Sequence, residues 1–429
     1  MRSIRSCFGC LSPALLCVAL ISCQQVSDTG SLTVDPPPVA FVGATIIDGT
    51  GRAPIEDGVL VVRDGRIEAV GSSDAVTVPL DADQVDLNGR TIMPGMINSH
   101  GHAAEDTAIK LPLYARYGVK TVVSLGDETA EHVVIRDSQA TPGLNRSRLY
   151  IAGPVMEGAI TEEEAAEYVA QAAGMNADWV KIRVDDDLGT ESKMSEAVYS
   201  AVIADAHSRS LRVASHVFYL DDTKQLVRIG VDLLAHSVRD REVDDELISL
   251  MIENDLCLIP TLTREMSTFE YATTPEWFSD PFFLKGADPA GIEEANDPEN
   301  QRAMASSPIA QGYRESLPVA LHNLKALSDA GVSIAMGTDS GANPLRFPGY
   351  FEHLELEMMA QAGLTPMQII VSATGDAARC MGLDQDLGTL TPGKWADFAV
   401  MTQSPLGDIR NTKTMESVWI AGNRVSDGD

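Results

Sequence analysis

The sequence predicts an α/β fold: a (β/α)8 TIM-like barrel with a small β-sandwich domain assembled from both chain ends. Three observations carry this. Short β-branched runs alternate with longer amphipathic stretches through the middle of the chain, the pattern of parallel βα units. The runs centre on His100, Val122, Ile151, Lys181, Ala214, Ala235, Ile259 and Ala335. All but the last step leave room for one strand, one helix and two loops, roughly 20–35 residues. Glycine precedes valine at Gly118-Val119, Gly230-Val231 and Gly331-Val332, as at a helix C-cap entering a strand. Finally, the β-rich texture of 39–94 returns at 387–429, which leaves 95–386 for the barrel.

Taken in order, residues 1–23 read as an export signal, with Arg2 and Arg5 ahead of an apolar run from Phe8 to Ile21. That run is too short for a spanning helix, which needs roughly 20 apolar residues. It ends in Leu20-Ile21-Ser22-Cys23, which resembles the lipobox of bacterial lipoproteins. The resemblance implies acylation of Cys23 and, because Gln24-Gln25 follow, a place on the periplasmic side of the outer membrane. Residues 24–38 are polar, end in three prolines and form a linker. In 39–94, FVGATIIDG, GVLVVRDG, RIEAVG and QVDLNGRTIMPG are short strands, and Asp64-Gly65 marks a hairpin. GTLTPGKWADFAVM and ESVWIAGNRV are the returning strands. Leu317, Leu321, Leu324 and Leu327 form one helical stripe, as an outer barrel helix requires. The long last step holds an insertion, 264–311, rich in aromatics (Phe269, Tyr271, Trp277, Phe278, Phe282, Phe283). It is either a lid over the C-terminal face or a satellite core.

The 429 residues carry a formal charge of −30, which argues against nucleic acid as a partner. With 44% hydrophobic residues the composition is that of an ordinary globular protein. Cys257 and Cys380 are the only cysteines beyond the signal, and two distant thiols make no disulfide framework or zinc ribbon.

His100-Gly101-His102 ends the first barrel run, so its two imidazoles share one face of a strand and can meet one metal. Further ligand types stand at other strand ends: Lys181 in DWVKIRV, His216 in RVASHVF, His236 in LLAHSV and Asp339 in SIAMGTDS. Side chains converging from several strand ends are how such barrels build sites. Arg183, two residues beyond Lys181, faces the same way and is a candidate clamp for a substrate carboxylate, unless it pairs with Asp185 or Asp187. Tyr219 and Arg239, in loops on the same face, are further substrate candidates, and His353 opens a helix after Asp339. His132, His207 and His322 fall on outer helices and are read as solvated or packed.

In the pieces IMPGMINSHGH, WVKI, ASHV, LAHS and GTDS, and in the final HLELEMMAQAGLTPMQIIVSATGDAARCMGLDQDLGTLTPGKWADFAVM, the sequence resembles the metal-dependent amidohydrolase superfamily. The last piece is similar to the imidazolonepropionase and Xaa-Pro dipeptidase branch. The resemblance implies that His100 and His102 bind one metal and His216 and His236 a second. It implies that Lys181 bridges both as a CO2-derived carbamate, and that Asp339 binds the first metal and shuttles the proton. Two divalent cations, zinc by expectation, then lower the pKa of a bridging water and polarise the substrate carbonyl. The implied activity is hydrolysis of a small amide, a dipeptide or N-acyl amino acid. The alternatives are a mononuclear deaminase or cyclic-amide hydrolase, a lactone or organophosphate hydrolase, and a silent surface-binding lipoprotein. The sequence leaves a homo-oligomer open. Asn98 stands where many relatives carry Asp.

Overall fold

A computed structural model describes residues 36–425; the signal, Cys23 and nearly all of the linker lie outside the described residues. From Pro37 onward the chain forms one compact unit. None of the described helices is long and apolar enough to cross a membrane.

Both chain ends contribute to one sheet. Its strands are β1 (Val39–Ile46), β2 (Ile55–Arg63), β3 (Arg66–Ser72), β4 (Asp83–Asp86) and β5 (Thr91–Pro94). They are joined by β15 (Phe398–Met401), β16 (Met415–Ile420) and β17 (Asn423–Arg424) from the other end. The order is β17-β16-β15-β5-β1-β2-β3, with β4 also on β1. Strand pairing therefore gives one sheet, not the two hydrogen-bonded layers expected of a sandwich. The long β1 takes β2 on one edge and both β4 and β5 on the other, and register shifts near Ala44 bend it. Phe41 packs against Phe398 and Trp419 at 5.0 and 4.8 Å, closing the core of the bent sheet. Asp64 and Gly65 both have positive φ, 50° and 78°, as a two-residue type I′ hairpin demands.

The middle of the chain is TIM-barrel-like. Parallel strands β6 (Met96–Gly101), β7 (Val119–Ser124) and β8 (Arg148–Ile151) form one sheet. A second holds β9 (Val155–Met156), β10 (Trp179–Arg183), β11 (Arg212–His216), β12 (Leu233–Ala235), β13 (Cys257–Ile259) and β14 (Ser333–Ile334). β8 pairs with β7 and β9 with β10, so these two short strands together fill one strand position. Past β14, Thr338 N donates to His100 O (3.1 Å) and His102 N to Ser340 O (2.8 Å), which ties the last strand position back to the first. All eight runs read from the sequence lie on or directly beside these strands. The leucine stripe lies on the helix Pro308–Asp329, with Leu324 and Leu327 fully buried.

The insertion is a satellite core. Trp277, Phe278 and Phe283 pack among themselves and against Phe347, Tyr350 and Phe351. Cys257 on β13 and Cys380 on the helix Gly375–Met381 are joined by a disulfide across 123 residues of sequence, with Cα atoms 6.0 Å apart. The sequence alone does not pair them, because only the return of the chain after β14 brings that helix beside β13.

Candidate active site

The strand ends deliver the ligand-type residues to one cavity of about 580 Å³. His100, on β6, and His102, just past it, stand beside Asp339: His102 Nε2 is 2.7 Å and His100 Nε2 3.3 Å from Asp339 Oδ1. Potential ligand atoms of these three lie within 4.8 Å of one another. Lys181 Nζ, from the middle of β10, is 3.4 Å from His100 Nε2. The His236 ring is 4.8 Å from that of His100 and 4.1 Å from that of His216. All six residues line the cavity.

Backbone strain accompanies this convergence. His236 and Asp339, neither a glycine, have φ of 73° and 62°, a region that costs roughly 1–3 kcal/mol and persists where surrounding contacts enforce it. Gly337 lets the segment approach β6: a Cβ there would sit 2.4 Å from Ile259 Cγ2 and 2.8 Å from His100 N. Beneath the cavity, buried Glu352 accepts hydrogen bonds from Asn98 Nδ2 (2.6 Å), Thr338 Oγ1 (2.9 Å) and Ser340 Oγ (2.6 Å). Asn98 Oδ1 in turn accepts from His100 N at 3.0 Å. An aspartate at 98 would face Glu352 with like charge; the amide instead donates, so Asn98 ties the His100 strand to the Asp339 segment.

The donor set fits metal ions. The protein holds one ring nitrogen of each strand-end histidine from the second sheet: His216 Nε2 meets Asp185 Oδ2 at 2.8 Å, and His236 Nδ1 meets Thr261 Oγ1 at 2.5 Å. That leaves His216 Nδ1 and His236 Nε2 for a cation, with ring orientation fixed by the outer partner. His100 Nδ1 is buried without a hydrogen-bond partner. Burial holds the imidazoles in their neutral, ligating form, taking His216 down to about 3 and His100 and His236 well below the usual histidine range. Burial also brings the Lys181 ammonium down to about 7. For Asp339 burial works against ionisation, but Arg346 and the two histidines overcome it, and its carboxyl is held well below the usual range.

The substrate candidates fare unevenly. Arg183 reaches the cavity, but its guanidinium pairs with Glu191 at 3.1 Å and Glu157 at 3.4 Å. Asp185 is farther, at 3.9 Å. Tyr219, Arg239 and His353 are not on the cavity wall. Tyr219 turns to donate to Asp186 Oδ1 at 2.6 Å. Arg239 is fully buried behind the wall, paired with Glu265 at 2.8 Å and bonded to the carbonyls of Val217 and Ser237. His353 lies among the outer elements, its ring nitrogens on Thr412 Oγ1 and Tyr117 O. Of the outer-helix histidines, His207 pairs with Asp232 and His322 is exposed, whereas His132 is buried and bonded to Ala104 O. Sequence reasoning missed Arg264, Arg346 and Tyr313, all on the cavity wall. Arg264 sits on the short helix Leu262–Ser267 after β13 and Arg346 in a loop after β14; only their position after strand ends could have marked them.

Residues 91–425 match the profile of the amidohydrolase family. The chain is 23% identical to the imidazolonepropionase of Solibacter usitatus, over 89% of this chain and 91% of that protein. A candidate prolidase from Bifidobacterium longum is 25% identical with a TM-score of 0.75, covering 91% of this chain and 95% of its own. A Xaa-Pro dipeptidase solved with methionine in its active site shares the fold, with a TM-score of 0.73 at 20% identity, over 90% of this chain and 99% of its own. Fold and a profile match through most of the chain agree: it belongs to the amidohydrolase family and is a hydrolase of carbon–nitrogen bonds.

Proposed function

We propose that the protein is a binuclear metal-dependent amide hydrolase acting on a dipeptide or N-acyl amino acid with a free carboxylate, with prolidase-like cleavage as the sharpest version. The observation that carries this is the meeting of His100, His102, Lys181, His216, His236 and Asp339 in one cavity. His100, His102 and Asp339 would hold one ion, His216 and His236 the other, and Lys181 would bridge them as a carbamate. Zinc suits such mixed nitrogen and carboxylate donors. Bound divalent ions would supply Lewis acidity toward the amide carbonyl and activation of water. The chain's own part is to orient and to move a proton. Asp185 and Thr261 fix the rings of His216 and His236. Lys181 has His100 as its one hydrogen-bond contact among the described residues, so its amine is not committed to a carboxylate and can take up CO2. Asp339, kept ionised by its neighbours, is the group placed to accept a proton and return it to the leaving nitrogen.

We further propose an exported, lipid-anchored protein on the periplasmic side of the outer membrane. The signal-like start and Cys23 support it, as does a disulfide between the two cysteines of the body, which suits an oxidising compartment.

Metal content by mass spectrometry, on protein purified with bicarbonate and without chelator, tests the centre. About two ions per chain are expected, falling to one or none in Lys181→Ala, together with turnover of at least one member of a dipeptide and N-acyl amino-acid panel. No bound metal after supplementation with zinc, cobalt and manganese would overturn the proposal.

A further inference from the structure

The cavity lining carries charges of both signs, joined at one point where Tyr313 accepts from Arg264 and donates to Asp187. Segments after β7, β9 and β10 supply Asp127, Glu157, Asp187 and Glu191, together with Arg183, whose charge Glu157 and Glu191 already answer. Segments after β13 and β14 supply two guanidiniums, Arg264 and Arg346. Arg264 is 7% exposed. Its Nη1 donates to Glu265 at 3.1 Å and its Nη2 to Tyr313 Oη at 3.3 Å, but its buried Nε has no hydrogen-bond partner and stands 3.9 Å from Asp339 Oδ2. Arg346 donates from Nε to Ser267 Oγ at 3.2 Å and from Nη1 to Asp339 Oδ2.

We infer that Arg264 and Arg346 are the specificity-determining pair of the site and hold a carboxylate of the substrate. The inference rests on the amide-hydrolase reading above and names the residues that choose its substrate class. Three guanidiniums, of Arg239, Arg264 and Arg346, share two carboxylates, those of Glu265 and Asp339. Asp185 also faces Arg239 and Arg264, but its Oδ2 is engaged by His216 Nε2 at 2.8 Å. A buried cation is tolerated only when matched by an anion and by hydrogen bonds. Once Asp339 serves a metal ion, its negative charge is shared, and Arg346 and the unpartnered Nε of Arg264 are left short of a full anion on the cavity side. A substrate carboxylate supplies that anion, meets the free Nε of Arg264 and forms the short charge-assisted hydrogen bonds that guanidinium and carboxylate make with each other. Arg183 cannot do this without giving up two acidic partners. Ile309 and Thr268 also line this cavity, which is sized for a metabolite rather than a polymer.

The test compares each of the twenty N-acetyl-L-amino acids with its carboxamide by isothermal titration into the metal-loaded protein, so that the paired ligands differ in one charge. At least one acid should bind tenfold or more tighter than its amide. Arg264→Gln and Arg346→Gln should each reduce that preference about tenfold, and Arg264→Lys should restore part of it. Circular dichroism identifies any variant that fails to fold, and the other arginine then carries the comparison. Equal binding of acids and amides, absence of binding included, would overturn the pair, as would a preference that survives both substitutions. Metal content and amide turnover on the same preparations keep the two proposals apart. A metal-loaded amidase that favours carboxamides refutes only the arginine pair; a protein that prefers acids but hydrolyses nothing refutes only the enzyme.

Discussion

The aromatic cluster of the insertion and the cavity lined by ligand-type residues are built on opposite principles. The aromatic cluster of the insertion is apolar: Phe278 and Phe283 stack at 5.1 Å, Trp277 stacks on Tyr350 at 5.1 Å, and Phe283 is wholly inaccessible. The cavity, drawn from residues between His100 and Arg346, is lined by imidazoles, guanidiniums, a lysine and carboxylates, several buried and some with strained backbone. The first region stabilises by removing carbon from water, an effect indifferent to protons and metal ions. The second keeps charges out of water, which works against stability until a ligand matches them. Stability and chemistry are thus assigned to adjacent but separable parts of the fold.

The sharpest way to break this contrast is to exchange the consequences. His236→Ala should lower amide turnover on the order of 10³-fold by removing one nitrogen of the proposed metal centre, while the urea midpoint of the metal-free protein stays the same or rises. A large drop in that midpoint would mean that the cavity also holds the fold together. Phe283→Ala should do the reverse, with a loss of about 3–5 kcal/mol in unfolding free energy and kcat/KM per folded molecule within about twofold of wild type. Turnover that falls with stability would show the aromatic cluster acting on the chemistry after all.

A smaller effect probes the border between the two. Glu355 is buried on the helix Tyr350–Gln361 and accepts from Leu262 N, Thr263 N and Thr263 Oγ1, all at 2.8 Å. Burial pushes its carboxyl up to about 7. The folded state therefore holds a proton that the unfolded chain releases near its ordinary value, so stability is lost as pH rises from about 4.5 through 7. Glu355→Gln cannot ionise. Its stability relative to wild type should improve between pH 5 and pH 8 by up to about 3 kcal/mol, read from urea unfolding at the two pH values. A difference that does not change with pH would place the ionised carboxylate in the folded state at both.

What the sequence made legible was local. Gly118, Gly230 and Gly331 mark helix ends, Asp64-Gly65 marks a hairpin, and alternation along His100-Gly101-His102 puts two imidazoles on one face; each depends on a few adjacent residues. The strand-end positions of Lys181, His216, His236 and Asp339 followed from counting βα units, and the structure gathers them. Illegible were features decided by long-range closure. Whether Arg239 or Arg264 reaches the cavity depends on Glu265 taking a buried place between them. Tyr219 and His353 turn away because Asp186 and Thr412, set by other segments, offer them partners. Asn98 made sense only once Glu352 lay beneath it.

The disulfide has a topological meaning as well. The segment between Cys257 and Cys380 contains the insertion, β14, Asp339, Arg264, Arg346, Glu352 and Glu355. Seven of the nineteen residues that line the cavity therefore lie on a covalently closed loop. A protease that cuts once inside the exposed helices of the insertion leaves two fragments still linked through sulfur, and the cavity can stay assembled across the nick until a reductant separates them.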